Sequence, residues 1–348
     1  MKNSIRHNKV GIFSLSYIIF CGIVALFCYV LAPDNSNSAN QMHLEIHSKS
    51  PGFSTLMLKV PIEDVSENSW IETFLRGAKI HYNEIPIKSY TQNDQKLGYT
   101  QLSDGLKKEI DLSIFNFKPE NYITTKTFYF GTDKYGRDLL SRLLIGARIS
   151  FFIGFIAVFI SLLIGIPIGA LAGYYGKRID TFIMWIINIT WSIPTLLLVI
   201  AFVLILGKGF WQVFIAVGLT MWVEVARVVR GQVISAKQEQ YVEAAKVLGF
   251  SDFRIIFKHI LPNILAPLIV ISAANFAAAI LIESGLSFLG IGAQPPTPSW
   301  GSMIKNHYNY IILGKPFLAI IPGLAIMSLV MAFMLLGNSL RDALDVKS

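Results

Sequence analysis

The sequence predicts an all-α membrane protein with six transmembrane helices and a mixed α/β insertion between the first two of them. Its 348 residues are 53% hydrophobic and 15% charged, with a mean hydropathy of +0.53, which is too apolar for an ordinary soluble protein. Several segments approach the ~20 apolar residues that are needed to cross a bilayer. They are residues 10–32, 150–174, 181–206, 210–229, 264–282 and 317–340.

These segments set the expected domain boundaries. We predict an N-terminus and first span in 1–32, a soluble insertion in 33–131 and a five-span core in 132–348. The alternative is buried core helices of a large soluble domain, but six such lengths in one chain favour a membrane protein. The first span begins with basic residues, as a cleaved signal peptide does. Its apolar run is longer than in such peptides, so we expect it to be retained.

The net charge of +8 is distributed unevenly along the chain. Lys2, Arg6 and Lys9 precede the first span and loop 230–262 is rich in lysine and arginine, whereas loop 207–209 carries one lysine. Because Lys and Arg are enriched in cytoplasmic loops, this pattern predicts both termini and loop 230–262 in the cytoplasm, with the insertion outside. Topology therefore accounts for the positive charge, and no nucleic-acid binding is predicted.

The insertion is long enough, at roughly 100 residues, to bury a small core of its own. Its pattern predicts extended segments at 53–60 and 84–90. It also predicts an amphipathic helix at 68–80 and a polar linker at 91–98. The helix carries Trp70, Phe74 and Leu75. No residue of the insertion is typical of catalysis. Two roles stay open: contact with a soluble delivery partner or shaping of the entrance, and a purely structural addition.

The residues that lead into the second span predict an interfacial helix. Thr132 is placed to cap it. The pairs Asp133–Arg137 and Asp138–Arg142 have the favourable acid-before-base order at i,i+4. Leucines supply an apolar face, and such a segment suits the membrane interface.

A glycine pattern in the second span predicts close helix packing. Gly165, Gly169 and Gly173 recur every four residues. Small residues at this spacing let the backbone of a second helix approach closely, which is how helices associate in lipid.

Ionisable and polar residues inside the spans are candidates for a translocation path. Glu224 lies late in the fourth span and Glu283 closes the fifth. One hypothesis is that both line an aqueous path and contact the amino group of a peptide-like substrate, with Asn275 and Trp191 as further candidates; for Glu224 we favour the local role given next, and for Glu283 both roles stay open. The local alternative is that Glu224 neutralises Arg227 and that Glu283 snorkels or caps a helix end.

The polar loop between the fourth and fifth spans is the most informative segment of the chain. It predicts two short helices joined at Gly249, where a left-handed C-cap would end the first. Ser251 can cap the second helix, Asp252 complements its dipole, and Pro262 would stop it. The predicted apolar faces are Tyr241, Ala244, Ala245 and Leu248 in the first helix, and Phe253, Ile256, Phe257 and Ile260 in the second.

The same loop resembles the EAA loop of binding-protein-dependent ABC importer permeases. The resemblance rests on Glu243-Ala244-Ala245, on Gly249 after three intervening residues and on Leu261-Pro262. His259 stands where the family prefers isoleucine, as its peptide and nickel branch tolerates. The runs Gly131-Thr-Asp-Lys-Tyr-Gly-Arg-Asp138 and Gly285 to Gly301 are similar to C-type subunits of dipeptide and oligopeptide permeases. The resemblance covers 131–345 and leaves the insertion out.

This resemblance implies a type I ABC importer fold in the bacterial cytoplasmic membrane. The implied partners are a homologous permease in a heterodimer, two ATPase subunits, an extracytoplasmic solute-binding protein and membrane lipid. In the family the loop sits in a groove of the ATPase, which assigns docking roles to Glu243, Ala244, Ala245, Gly249, Asp252, Leu261 and Pro262. ATP and magnesium belong to the ATPase subunits. Dipeptides, oligopeptides, nickel chelates and peptide antibiotics all remain open as substrates.

Chemistry of its own is not predicted for this chain. The phosphate-binding pattern G-x-x-x-x-G-K-[ST] is absent. Gly176-Lys177 could be its G-K pair, but Leu171 occupies the position of its first glycine. The sequence has no H-E-x-x-H metal motif and no G-x-S-x-G nucleophile motif. Two other classes stay open: an ion-gradient-driven secondary transporter, which predicts inverted repeats and several buried acids, and a receptor or scaffold that acts through its outer domain.

Overall fold

The computed structural model describes residues 8–62, 69–93, 95–103, 105–115, 122–207 and 209–345. Its helices are α1 (Lys9–Leu26), α2 (Cys28–Leu31), α3 (Trp70–Arg76), α4 (Leu139–Tyr175), α5 (Lys177–Ser192), α6 (Thr195–Leu206), α7 (Phe210–Ala236), α8 (Gln240–Val247), α9 (Asp252–Arg254), α10 (Leu265–Leu289), α11 (Trp300–His307) and α12 (Phe317–Asp345). Its strands are β1 (Phe53–Pro61), β2 (Tyr82–Gln92), β3 (Lys96–Gln101), β4 (Lys107–Asp111) and β5 (Ile123–Phe128). Lys2, Arg6, Lys208 and the predicted helix start at Asn68 lie outside the described residues. The predicted class, a helical membrane protein with a mixed insertion, is confirmed.

The described helices provide five complete candidate membrane spans and one broken one. The five are α1, α4, α7, the helical run Asp252–Leu289 and α12. The predicted third span is divided into α5 and α6, which are bent by 91°. Pro194 stands at this break, and it has no N–H to continue the helical ladder. Pro167 and Pro322, by contrast, lie inside unbroken helices.

The chain forms two compact units. The first comprises Met1–Gly22, Ser150–Gln294 and Leu324–Ser348, and the second comprises Ile23–Ile149 and Pro295–Gly323. The second unit therefore contains the insertion together with the end of α1 and the beginning of α4. It also contains the loop region that holds α11.

Within the first unit, the three glycines of the second span lie against α7. A Cβ on Gly165 would come within 2.6 Å of the Val225 side chain, and one on Gly173 within 2.7 Å of the Arg230 carbonyl. Gly169 faces the Ala226 carbonyl in the same way. Real Cβ atoms do not tolerate such contacts, so α4 and α7 approach at a distance that only glycine permits.

The second unit is built on a five-stranded antiparallel sheet in the order β4-β3-β2-β1-β5. The predicted strands at 53–60 and 84–90 are confirmed as β1 and β2. The predicted linker at 91–98 is wrong, because its residues end β2 and begin β3 in one hairpin. Leu97 explains the difference, since its side chain is fully buried in the core of the unit. That core consists of Leu58, Ile87, Leu97, Tyr99, Phe115 and Tyr122.

The predicted interfacial helix at 132–142 is also wrong. Regular helix begins only at Leu139, and Thr132 and Asp138 form a bridge across a turn. Gly136 has a φ of +74° and passes directly under the His43 carbonyl, where no Cβ fits. Tertiary contact with the insertion therefore overrides the local helical pattern.

Side-chain bonds in this segment, which we call the strut (131–138), hold it inside the second unit. Thr132 accepts a hydrogen bond from the Lys49 amide at 2.9 Å, and Arg137 Nη2 lies 2.6 Å from Asp133 Oδ2. The second predicted pair does not form, because Asp138 accepts from the Ser141 amide at 2.8 Å. Arg142 instead donates to the Ser38 carbonyl at 3.1 Å. The strut is thus a buried connection, not a surface helix.

The helix α11 is fixed to this unit at both ends. Ser299 and Ser302 form a capping box at its start. The Trp300 indole donates to the Leu143 carbonyl at 2.9 Å. At its end the buried His307 ring contacts the Met303 carbonyl through Nδ1 at 2.7 Å and accepts from the Lys134 amide through Nε2 at 3.4 Å. One nitrogen donates and the other accepts, so this is a neutral histidine.

Candidate coupling knuckle and membrane cavity

The loop between α7 and α10 folds into a helical element, 240–264, which we call the knuckle. It consists of α8, α9, a π-helical turn at Ile255–Ile260 and a 3₁₀ turn at Leu261–Ile264. The predicted stop at Pro262 is wrong, since helical turns run through it into α10. Pro262 occupies the first turn of the 3₁₀ segment, where the missing N–H breaks no bond.

Gly249 makes the bend of the knuckle, as predicted. Its φ of +74° is left-handed. The Gly249 amide donates to the Lys246 carbonyl at 3.0 Å and the Phe250 amide donates to the Ala245 carbonyl at 3.1 Å, which together form a Schellman motif. Ser251 occupies the predicted cap position, but its side chain makes no capping hydrogen bond.

The inner face of the knuckle is packed on the ends of α4 and α7. Val242 and Ala245 of α8 join this core, which also contains Tyr174, Val225, Val229, Val233, Ile255, Ile256, Ile260 and Ile264. The predicted faces are therefore only partly correct, since Tyr241 and Leu248 point away from the core. In the second half of the knuckle, the π turn changes the spacing of the buried positions, so that Ile255, Ile256 and Ile260 are buried.

The outer face of the knuckle carries an exposed apolar surface, the knuckle ridge, formed by Val247, Leu248, Phe253 and Phe257. Val247 is 87% exposed and both Leu248 and Phe253 are 70% exposed. The rings of Phe253 and Phe257 lie 4.4 Å apart. Single exposed apolar residues are ordinary, but four of them on one short element mark a candidate interaction site.

The docking residues assigned by resemblance take different positions in this arrangement. Glu243, Ala244, Gly249 and Pro262 are exposed. Ala245 is buried and Leu261 packs partly against the core beneath. Asp252 accepts a hydrogen bond from the Tyr174 hydroxyl at 2.7 Å, so it joins the knuckle to α4. The ridge residue Val247 was not predicted, because periodicity does not say which apolar positions lack a partner.

A cavity of about 170 Å³ lies beside the break between α5 and α6. Its lining combines polar and apolar side chains from four helices: Thr190, Trp191, Ile193, Thr195, Leu198, Thr220, Met221, Val223, Glu224, Ala278 and Ile282. Two of the predicted path residues, Trp191 and Glu224, are thus brought together. Thr195 and Thr220, which also line the cavity, were not predicted. The sequence feature that could have indicated the cavity is Pro194 at the helix break.

Arg227 is held by α5 and not by Glu224. Its guanidinium carbon lies 3.5 Å from the centre of the Trp191 ring, and its Nη2 donates to Asn188 at 3.2 Å. A cation over an aromatic face is a favourable contact. Among the described residues no ion pair joins Arg227 to Glu224. Glu224 therefore lines the cavity outside any ion pair with Arg227.

The other two predicted path residues lie outside the cavity lining. Asn275 is buried on α10. Glu283 is fully buried and accepts a hydrogen bond from the Ser287 hydroxyl at 2.6 Å, while Ser287 accepts from the Ala293 amide at 3.1 Å. Through Ser287, these contacts connect Glu283 to the turn that follows α10. The described residues contain no group of three or more metal-ligating side chains.

Comparison with known proteins identifies the family. A model for the binding-protein-dependent transport system inner membrane component matches residues 165–347. The chain is 44% identical over 219 residues to the dipeptide transport system permease protein of Alkalihalophilus pseudofirmus. The aligned region covers 63% of this chain and 72% of that protein. It is 40% identical over 233 residues to the glutathione transport system permease protein of Pectobacterium atrosepticum, with 67% and 77% covered. For the oligopeptide transport system permease protein of Bacillus subtilis the values are 39% over 237 residues, with 68% and 77% covered. The chain therefore belongs to the family of inner membrane components of binding-protein-dependent transport systems.

Proposed function

We propose that the chain is one permease subunit of an ATP-driven importer that translocates di- and oligopeptides, or closely related substrates, delivered by a solute-binding protein. Membership of the family supports the transport role. The names of the three relatives support the substrate class, since each is named for peptide or glutathione transport. A homologous permease completes the transmembrane part as a heterodimer, surrounded by lipid, and nucleic acid has no role.

The observation that carries this proposal is the knuckle ridge on its rigid base. An apolar surface that is exposed on a closely packed element fits a groove in a partner protein. That partner is one of two ATPase subunits, which hold ATP and magnesium, and this chain holds neither. Glu243 and Gly249 act at the contact by charge and by shape, respectively.

The membrane cavity is the proposed substrate path. Glu224 contacts the amino group of the peptide, and Trp191, whose ring is covered by Arg227, forms another part of the lining. ATP-driven closure of the ATPase subunits carries the knuckle with it, and the spans rock between inward-open and outward-open states. The distribution of lysine and arginine supports both termini and the knuckle in the cytoplasm of a bacterium, with the insertion on the outer side.

The first test is purification of the chain from its native membranes in mild detergent. We expect an ATPase to co-purify with the intact chain and to be lost from Glu243→Ala/Gly249→Val. A matched control is Glu72→Ala/Gly52→Val in the insertion, because Gly52 also has a positive φ with open space beside it. The control should retain the ATPase.

Two results would overturn the proposal. One is the absence of any ATPase from both preparations, which would mean that the knuckle ridge is no docking surface. The other is peptide uptake that survives ATP depletion and collapses with the ion gradient, which would favour a secondary transporter.

A further inference from the structure

The short helix α3 in the insertion exposes an apolar face. Trp70 is 77% exposed, Ile71 59% and Leu75 51%. Glu72 and Arg76, one helical turn apart, lie on the other side of the helix. The apolar face is therefore not part of the sheet core. It is exposed on the surface of the unit, where it can contact an apolar environment.

This helix is fixed to the end of the first span. The Phe74 ring meets the Phe27 ring edge to face at 5.7 Å. Gly77, which ends the helix, lies so close to Tyr29 that a Cβ would come within 2.8 Å of its ring. Arg148 donates to the Leu75 carbonyl at 3.0 Å and to the Phe74 carbonyl at 3.3 Å. The position of α3 is thus set by α2 on one side and by α4 on the other.

The length of α1 places this contact at a definite depth. Its 18 residues rise about 27 Å, which is close to the ~30 Å thickness of a bilayer's hydrocarbon core. Phe27 follows α1 directly, so if α1 crosses the bilayer, the Phe27–Phe74 contact falls near the boundary between hydrocarbon and headgroups. The exposed apolar surface continues along the chain here, since Val30 is 67% and Leu31 51% exposed.

We propose that α3 is a lipid-interface anchor, which lies in the outer headgroup region and holds the insertion down on the membrane. Trp is the residue that membrane interfaces favour, and an amphipathic helix at this depth buries its apolar face among the upper acyl chains. Arg76 is exposed at the C-terminal end of the helix and suits the phosphate groups of lipids. A soluble partner is the less suitable occupant, because the apolar surface is continuous with that of the first span.

The experiment uses the assembled transporter in lipid nanodiscs. Cys21 and Cys28 are replaced by Ala, and a single cysteine is introduced by Ile71→Cys or, as the matched control, by Glu72→Cys on the polar side of the same helix. Each is labelled with an environment-sensitive fluorophore. Quenching is then measured with nitroxide-labelled lipid and with water-soluble iodide, and co-purification of the ATPase verifies that each variant is assembled.

We expect lipid nitroxide to quench the Ile71→Cys probe several-fold more than the Glu72→Cys probe, with the opposite order for iodide. Equal iodide quenching of both probes would overturn the proposal, since the face would then lie in water. Shielding of the Ile71→Cys probe from both quenchers would also overturn it, because a protein partner would then cover the face. Neither result depends on which substrate is carried.

Discussion

Substitution of Gly249 tests whether the shape of the knuckle couples the ATPase to transport. Gly249 has a φ of +74°, and a Cβ added there meets nothing within 4 Å. Any effect of a new side chain therefore arises from backbone strain and not from collision. This separation makes the position suited to a graded series of Asn, Ala and Val.

The size of the effect follows from the left-handed conformation. An L-residue costs roughly 1–2 kcal/mol there, a β-branched residue is a rarer outlier, and Asn is tolerated. A cost of 1–2 kcal/mol lowers the ratio of native to non-native turn roughly 5- to 30-fold. We expect coupling to fall in the order Gly249, Gly249→Asn, Gly249→Ala and Gly249→Val, while membrane insertion is unchanged.

The assay is ATP hydrolysis and peptide uptake in proteoliposomes, both stimulated by the substrate-loaded binding protein. Uptake per ATP should fall along the series, with Gly249→Asn close to the parent and Gly249→Val almost uncoupled. If Asn and Val are equally harmful, conformational strain is not the cause and the side chain itself obstructs docking. If Gly249→Val remains fully coupled, the knuckle is not the coupling element.

Three further predictions concern the cavity, the glycine contact and a buried histidine. Glu224→Gln should lower uptake of peptides with a free amino group roughly 10-fold or more, as loss of a charge-assisted bond implies, and abolish their advantage over N-acetylated peptides; an unchanged preference would remove Glu224 from the path. Gly169→Leu should destabilise the first unit by about 1–3 kcal/mol through overpacking, which thermal unfolding in detergent would measure. The control Gly285→Leu, in open space on α10, should not change the stability. Burial lowers the pKa of His307 below its ordinary value near 6.5, so its contribution to stability is present above that pH and is lost as the pH falls through the folded pKa. His307→Gln should weaken the acid sensitivity of the melting temperature and the exposed His47→Gln should not; equal effects would contradict this.

The sequence was sufficient to predict the spans, because membrane helices need only length and apolarity. It was not sufficient to predict the break in the third span. Pro167, Pro194 and Pro322 are the same residue in similar apolar surroundings, yet only Pro194 coincides with a sharp bend among the described helices. Neighbouring helices decide whether the chain stays helical through a proline, because they can satisfy the backbone groups that proline leaves unpaired. The residues of those helices are distant in the sequence.

The strut and the knuckle show a similar division between local and distant information. In the strut, acid–base spacing predicted a helix, but Gly136 is required where the chain passes under His43, more than 90 residues earlier. In the knuckle, the bend at Gly249 was predictable because a left-handed cap is a local event. The buried face was not, since Val242 and Ile255 are chosen by the helix ends onto which they pack.

Coupling between the knuckle and the cavity can be argued from the continuity of α7. Glu224 at the cavity and Val233 beneath the knuckle lie on this one unbroken helix, about 14 Å apart by its rise. The glycine contact at Gly169 joins α4 to the same stretch at backbone distance. Close-packed elements of this kind move as a body, whereas the 91° break between α5 and α6 permits an angular change beside the cavity. A displacement of the knuckle should therefore change the cavity wall through α7. It follows that Gly249→Val should reduce uptake without altering the preference for a free amino group, whereas Glu224→Gln should alter the preference and leave ATPase binding intact.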